Sequence, residues 1–254
     1  THGNGPQVGS LMMGATGPSS LNKLYEWVAA TQSMIGLSLV IELEKMLSIN
    51  SRNEKVCIIP TRVLVNHDDS SFQNPTKPVG GILRQTEIEA YQWDIANTID
   101  GPRRVVASPP PISIIDSEVI IDMIKKGYIV ISCGGGGIPM SMFNGEFIGV
   151  PAVVDKDLTS ALLAEVIAAD GLIIATGIDA VYNNFNSESQ QKISQLNCED
   201  ANQKLLHGEF PKGSMAPKIK ACISAARNGI DAYICQSGEI EDVLKNKEGT
   251  HIFS

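Results

Sequence analysis

Residues 151–169 read PAVVDKDLTSALLAEVIAA, and the rest of the chain is read outward from them. An apolar entry, Ala152-Val153-Val154, runs into three alternating charges, Asp155-Lys156-Asp157. Beyond them Leu158, Ala161, Leu162, Glu165, Val166 and Ala169 recur at three- and four-residue spacings, which predicts a helix with one apolar face. The junction therefore puts a lysine and two carboxylates at a helix N-terminus, where unpaired backbone N–H groups already favour anions. One reading makes Asp157 no more than the capping acid. Lys156 argues for a function, because first helical turns favour acids over bases. A lysine held there by flanking aspartates is placed to meet an anion brought by a ligand.

Composition narrows what that ligand can be. At 254 residues the chain has room for one large domain or two lobes. It is 43% hydrophobic and only 5% aromatic, with 23 Gly and 13 Pro, which suits an α/β protein rich in tight turns. A formal net charge of −8 argues against a general nucleic-acid or anionic-membrane surface. An anionic ligand must then be held by a few lysines and backbone amides. No apolar run is read as a membrane span, and no signal peptide is visible. Cys57, Cys133, Cys198, Cys222 and Cys235 form no C-x-x-C pair and read as reduced core residues of a cytoplasmic protein. His2, His67, His207 and His251 are scattered, without metal-ligand spacing.

Working along the chain, Gly3, Asn4 and Gly5 open a glycine-rich loop, THGNGPQVG, whose backbone can approach a small anion. Such loops are normally fed by a strand, so a segment is expected to be missing ahead of Thr1. Residues 20–49 predict two helices separated at Gly36, and residues 56–65 a strand with a bulge or edge position at Pro60. Residues 66–104 are polar and turn-rich around one short helical pattern and read as an excursion from the main sheet. Lys77 sits on it between Thr76 and Pro78; taken alone it reads as a solvated lysine. A helix follows over 116–126, capped by Asp116 or Ser117 and closed by Gly127. A buried strand at 128–132 then runs into Gly134, Gly135, Gly136 and Gly137. These four glycines are an anion-loop candidate. A dinucleotide loop is the rival, but Pro139 and the Asn144-Gly145 turn leave no helix to receive a pyrophosphate. Strands are expected at 171–176, 231–236 and 250–253, and a helical piece near 199–206. Ser214 reads as the N-cap of a helix closed by Gly229, with Lys218 in its first turns, a second phosphate-site candidate.

The segments THGNGPQVG, NPTKPVG, RRVVASP, SCGGGGIPM, AVVDKDLTSALLA and GSMAPK, in this order over nearly the whole chain, strongly resemble the carbamate kinases of the amino acid kinase superfamily. There is no G-x-x-x-x-G-K-[ST] loop and no protein-kinase signature. The resemblance implies a three-layer αβα sandwich on a mainly parallel sheet. It implies an N-terminal carbamate and phosphoryl lobe at 1–150, a protruding subdomain near 66–104, and a nucleotide lobe at 151–254. It implies a cytoplasmic homodimer that transfers a phosphoryl group between ATP and carbamate, giving ADP and carbamoyl phosphate, usually run towards ATP in arginine or allantoin breakdown. Lys156 and Lys218 match the family's catalytic lysines and Asp157 the acid that orients them, while Lys77 matches a lysine reaching over the site. Gly3, Asn4, Gly5 and Gly134, Gly135, Gly136 and Gly137 would hold carbamate and the transferred group. Thr176, Gly177 and Tyr182 would lie near the nucleotide, and Gly213, Ser214 and Met215 near its phosphates with Mg2+. No protein side chain is expected as a direct metal ligand, and neither nucleic acid nor membrane as a partner.

Three departures from the family pattern stand out. The family's first strand and its Gly-Gly-Asn loop are not in the sequence. The lead to Arg103-Arg104 is only Ile99-Asp100-Gly101-Pro102, a shortened protruding subdomain. Ser33 and Gly177 stand where the family often has other residues. The alternatives are a nucleotide-binding relative without turnover, a kinase of the same superfamily acting on another small acid and, more distantly, an NAD-binding oxidoreductase.

Overall fold

The computed structural model describes residues 1–14, 23–90, 93–98, 100–211, 213–245 and 247–254. The chain divides into two units, Thr1–Thr159 and Ser160–Ser254, each taken by itself below. The expected start of a helix at residue 20 lies outside the described residues.

The first unit opens with α1 (Gly5–Gly14) and α2 (Leu24–Ile49). Where two helices were expected, α2 is continuous through Gly36, because the missing side chain there admits Ile58: a Cβ would come within 2.9 Å of its Cγ2. By length and composition α2 is also long and apolar enough to cross a bilayer, which the reading of the sequence did not register. In this fold it packs on α1, β1 and the strand at 138–143 through Leu24, Val28, Thr31, Gln32 and Gly36, while only 28% of its apolar window is buried. The strand expected over 56–65 is broken at Pro60 into β1 (Val56–Ile59) and β2 (Arg62–Leu64), because proline cannot donate to a ladder. Next come β3 (Lys77–Val79), α3 (Gln85–Ala90), β4 (Ile95–Thr98) and β5 (Gly101–Val106). These three strands form an antiparallel sheet in the order β3-β5-β4. Lys77 thus lies in a strand rather than on an irregular loop. The helix α1 reaches this sheet at Gly9, where a Cβ would fall 1.9 Å from the Cα of Gly80.

Then follow β6 (Ser113–Ile114), α4 (Ser117–Lys125), β7 (Ile129–Ser132), β8 (Ile138–Phe143), β9 (Glu146–Gly149) and α5 (Lys156–Val166). Strand β7 pairs parallel with β1, and β8 parallel with β2, while β6 and β9 add antiparallel edges. Asp116 stands at the N-cap position of α4, but its carboxylate is taken by the backbone N–H and guanidinium of Arg62. The core of this unit is Val8 and Met12 of α1, Leu24 and Val28 of α2, Val79, Val106 and Val153, all at most 4% exposed.

In the second unit β10 (Gly171–Thr176) is followed by β11 (Val181–Asn183), β12 (Gln191–Ile193), β13 (Gln195–Asn197), α6 (Cys198–Leu206), α7 (Met215–Arg227), β14 (Asp231–Gln236), α8 (Ile240–Leu244) and β15 (Thr250–Phe253). The sheet order is β10-β14-β15-β13, with β10 parallel to β14 and β15 returning antiparallel to it. Its cover is α7, which buries Ile219, Ala221 and Cys222 completely and packs on β10, β14 and β15. The short polar strands β11 to β13 were not foreseen, since three-residue pairs carry too little alternation to register as strands.

Candidate active site

In the first unit β7 is followed by Cys133, whose φ of 53° turns the chain sharply into the glycine loop. The loop lies at the carboxyl end of β7, beside the carboxyl end of its parallel neighbour β1. Backbone packs on backbone there. Gly135 has a φ of 63°, and a Cβ on it would sit 2.1 Å from Cγ of Asn4; no other residue fits. The N–H groups of Gly135, Gly136 and Gly137 donate to the carbonyls of His2, Cys133 and Gly134 at 2.7, 3.1 and 3.1 Å. Three of the amides expected to cradle an anion are therefore engaged by backbone carbonyls, and cationic side chains carry the charge of the site.

Those side chains come from α5 and β3. Lys156 is the first residue of α5, its stem passing beside Gly3, 3.5 Å from where a Cβ on that glycine would lie. Its Nζ stands 3.5 Å from Oδ1 of Asp157, which is 5% exposed. The capping acid is Asp155 and not Asp157: Oδ1 of Asp155 accepts the N–H groups of Asp157 and Leu158 at 2.9 and 3.3 Å. Its Oδ2 accepts from Nζ of Lys77 at 2.5 Å. Burial opposes the charge of Asp155, but Lys77 and the two backbone N–H groups outweigh it and hold the carboxyl below its ordinary range. Thr159, one turn into α5, donates its hydroxyl to the Gly136 carbonyl at 2.9 Å and ties the helix to the loop. Gly3, Asn4, Gly5, the four loop glycines, Lys77, Lys156 and Asp157 are thus gathered in one unit.

A buried polar network behind the loop escaped the sequence reading. Gln32 of α2 is 2% exposed and clamps one residue twice: it accepts from the Thr61 N–H at 2.8 Å and donates to the Thr61 carbonyl at 3.3 Å. The Thr61 hydroxyl in turn accepts the N–H of Cys133 at 2.9 Å. Asn4 donates to the hydroxyl of Thr31, the neighbour of Gln32, at 3.0 Å. The one available signal was a Thr-Gln pair on the same stripe of α2 as the apolar Leu24 and Val28. His2 lies over Gly134, and its Nδ1 is 3.0 Å from the Gly3 carbonyl; burial, with Lys156 nearby, lowers its pKa. Burial pushes the thiol of Cys133 up to about 11, so it stays protonated.

In the second unit Thr176 ends β10 and Gly177 follows it. Because α7 turns tightly into β14 through residues 228–230, its N-terminus lies at the end of the sheet where β10 and β14 finish. Gly213, Ser214, Met215 and the 9% exposed Lys218 are therefore brought to the same end as Thr176 and Gly177. Ser214 holds the N-cap position without a side-chain bond to the helix. The hydroxyl of Tyr182 donates to Asp179 at 2.8 Å, and Asp179 is paired with Lys192 at 3.1 Å.

Residues 76–236 match the amino acid kinase family. A carbamate kinase of Thermoplasma volcanium is 35% identical over 256 residues, which cover 99% of this chain and 84% of that protein. The chain belongs to the carbamate kinases, within the amino acid kinase family. Among solved structures, carbamate kinase from Giardia lamblia bound to citric acid matches with a TM-score of 0.91 at 31% identity, over 100% of this chain and 83% of that one. The same enzyme bound to AMP-PNP matches with a TM-score of 0.88 at 31% identity, over 99% and 83% of the two chains. Both the α/β sandwich of the carbamate kinases and the class of activity, a kinase, follow from these likenesses.

Proposed function

We propose that the protein transfers a phosphoryl group reversibly between ATP and carbamate, and that it runs towards ATP from carbamoyl phosphate in arginine or allantoin breakdown. The observation that carries the reading is the convergence, in one unit, of a glycine loop, Asn4 and a helix start that presents Lys156, with Lys77 paired beside it. Phosphoryl transfer needs little covalent help. It needs in-line positioning and neutralisation of charge on the equatorial oxygens.

The roles divide accordingly. Lys156 and Lys218 stabilise the transferred group, Asp157 orients Lys156, and Lys77 contacts the carbamoyl phosphate. Gly3, Asn4, Gly5 and the loop glycines shape the floor on which carbamate and the phosphoryl group rest. In the second unit Thr176, Gly177 and Tyr182 take the nucleotide, and Gly213, Ser214 and Met215 take its phosphates. Mg2+ arrives with the nucleotide, held chiefly by phosphate oxygens and water. A homodimer belongs to the same reading; the exposed Met34, Leu37 and Ile41 of α2 offer an apolar face for a second copy. Free thiols at Cys57, Cys133, Cys198 and Cys235 suit the reducing cytoplasm.

The test offers MgADP with carbamoyl phosphate or acetyl phosphate and measures ATP, alongside a titration of ADP binding. ATP from carbamoyl phosphate alone supports the assignment. ATP from acetyl phosphate at an equal rate points to another small acid, and ADP binding without turnover points to a non-catalytic relative.

A further inference from the structure

Asp155 has no role in the scheme above, yet both of its carboxylate oxygens are engaged. It is 7% exposed, and its two oxygens face different tasks. Oδ1 closes the first turn of α5 through the N–H groups of Asp157 and Leu158, and Oδ2 holds the Lys77 ammonium. Lys77 arrives from β3, in register with Val106 of β5, on a sheet separate from the strands that precede α5. A lysine reaching that far carries four rotatable bonds, and its ammonium goes wherever a partner fixes it. Asp157 stands 3.5 Å from Lys156, so each acid of the tripeptide has a lysine within ion-pair distance.

We propose that Asp155 is a positioning residue which, with one carboxylate, sets both the start of α5 and the place of the Lys77 ammonium, so that Lys77 and Lys156 present a fixed pair of cations to the glycine loop. The proposal rests on reading the site as one for phosphoryl transfer from carbamoyl phosphate. Thr159 adds the third point of the frame, because its bond to the Gly136 carbonyl fixes α5 against the loop. The carboxylate acts only through the groups it holds and takes no proton in the reaction.

Asp155→Asn separates the two tasks. Asparagine keeps an oxygen that caps a helix well but loses the charge that holds a lysine. Against the wild type, Asp155→Asn is expected to raise KM for carbamoyl phosphate about tenfold or more, with Kd for ADP within twofold. Lys77→Met should match it, and the double variant should be no worse than the more affected single one. Multiplying effects in the double variant, or unchanged carbamoyl phosphate kinetics in Asp155→Asn, would overturn the proposal. Asp155→Ser, which also caps, repeats the test should the asparagine variant fold poorly. Thermal unfolding of the same four proteins without substrate reads the pair independently of catalysis. Non-additive shifts in Tm support the ion pair and additive shifts overturn it, even if the wild type makes no ATP and the assignment of the reaction fails.

Discussion

Replacing Gln32 tests how the glycine loop is held. In Gln32→Ala the Thr61 carbonyl keeps a partner, because it also accepts from the Ile138 N–H at 2.8 Å. The Thr61 N–H loses its side-chain acceptor in a buried position. An orphaned buried donor costs about 1–3 kcal/mol. Removing the buried methylene beyond Cβ adds roughly 0.8 kcal/mol, so a loss of about 2–4 kcal/mol is expected out of a typical total of about 5–15 kcal/mol. Gln32→Met fills the space without an acceptor and isolates the polar part, about 1–3 kcal/mol. In urea, with a slope near 3 kcal/mol per molar, that part lowers the midpoint by roughly 0.3–1 M at unchanged slope. Because Thr61 also receives the N–H of Cys133, turnover should fall together with stability. A Gln32→Met protein with an unmoved midpoint and normal turnover would refute the claim that this clamp holds the loop.

Lys156→Ala and Lys218→Ala should each lower kcat about a hundredfold or more while the protein stays folded, as expected for lost charge-stabilising groups; near-normal turnover in either removes its assigned role. Gly135→Ala should abolish activity and cost at least about 1–2 kcal/mol, since a left-handed backbone is unfavourable for alanine and its Cβ would strike Asn4. Gly238→Ala, open on all sides, should cost little in the same denaturation series, and equal losses in the two would dismiss the packing argument. The depressed pKa of Asp155 means that the unfolded chain binds its proton first as the pH drops. Its contribution is present above the ordinary value near 3.9 and is lost as the pH falls through that value and the lower folded one. Wild-type Tm should therefore fall more steeply than that of Asp155→Asn between about pH 4 and 3; parallel curves would contradict the ion pair.

Much of the architecture was legible because it rests on local pattern. The buried strands at 171–176, 231–236 and 250–253 and the helix closed by Gly229 stand where apolar runs and end signals put them. The place of Lys156 at the start of α5 could be read for the same reason, from the apolar spacing that follows it. What escaped depends on partners distant in sequence. Asp155, not Asp157, caps α5, a choice set by backbone geometry and by Lys77, 78 residues away. The Gln32–Thr61 clamp spans 29 residues and has no periodic signature. Lys77 looked like a solvated loop lysine because three-residue strands in a turn-rich stretch carry no visible alternation. Gly36 looked like a helix break because its packing against Ile58 cannot be seen from α2 alone.

The most direct test of the central claim is to follow carbamoyl phosphate and MgADP by phosphorus NMR in the presence of the protein. The carbamoyl phosphate resonance should decline and the γ-phosphate resonance of ATP grow, one for one, with no excess of inorganic phosphate over a protein-free control. Carbamoyl phosphate that decays only at the control rate, while ADP is bound, would contradict that claim.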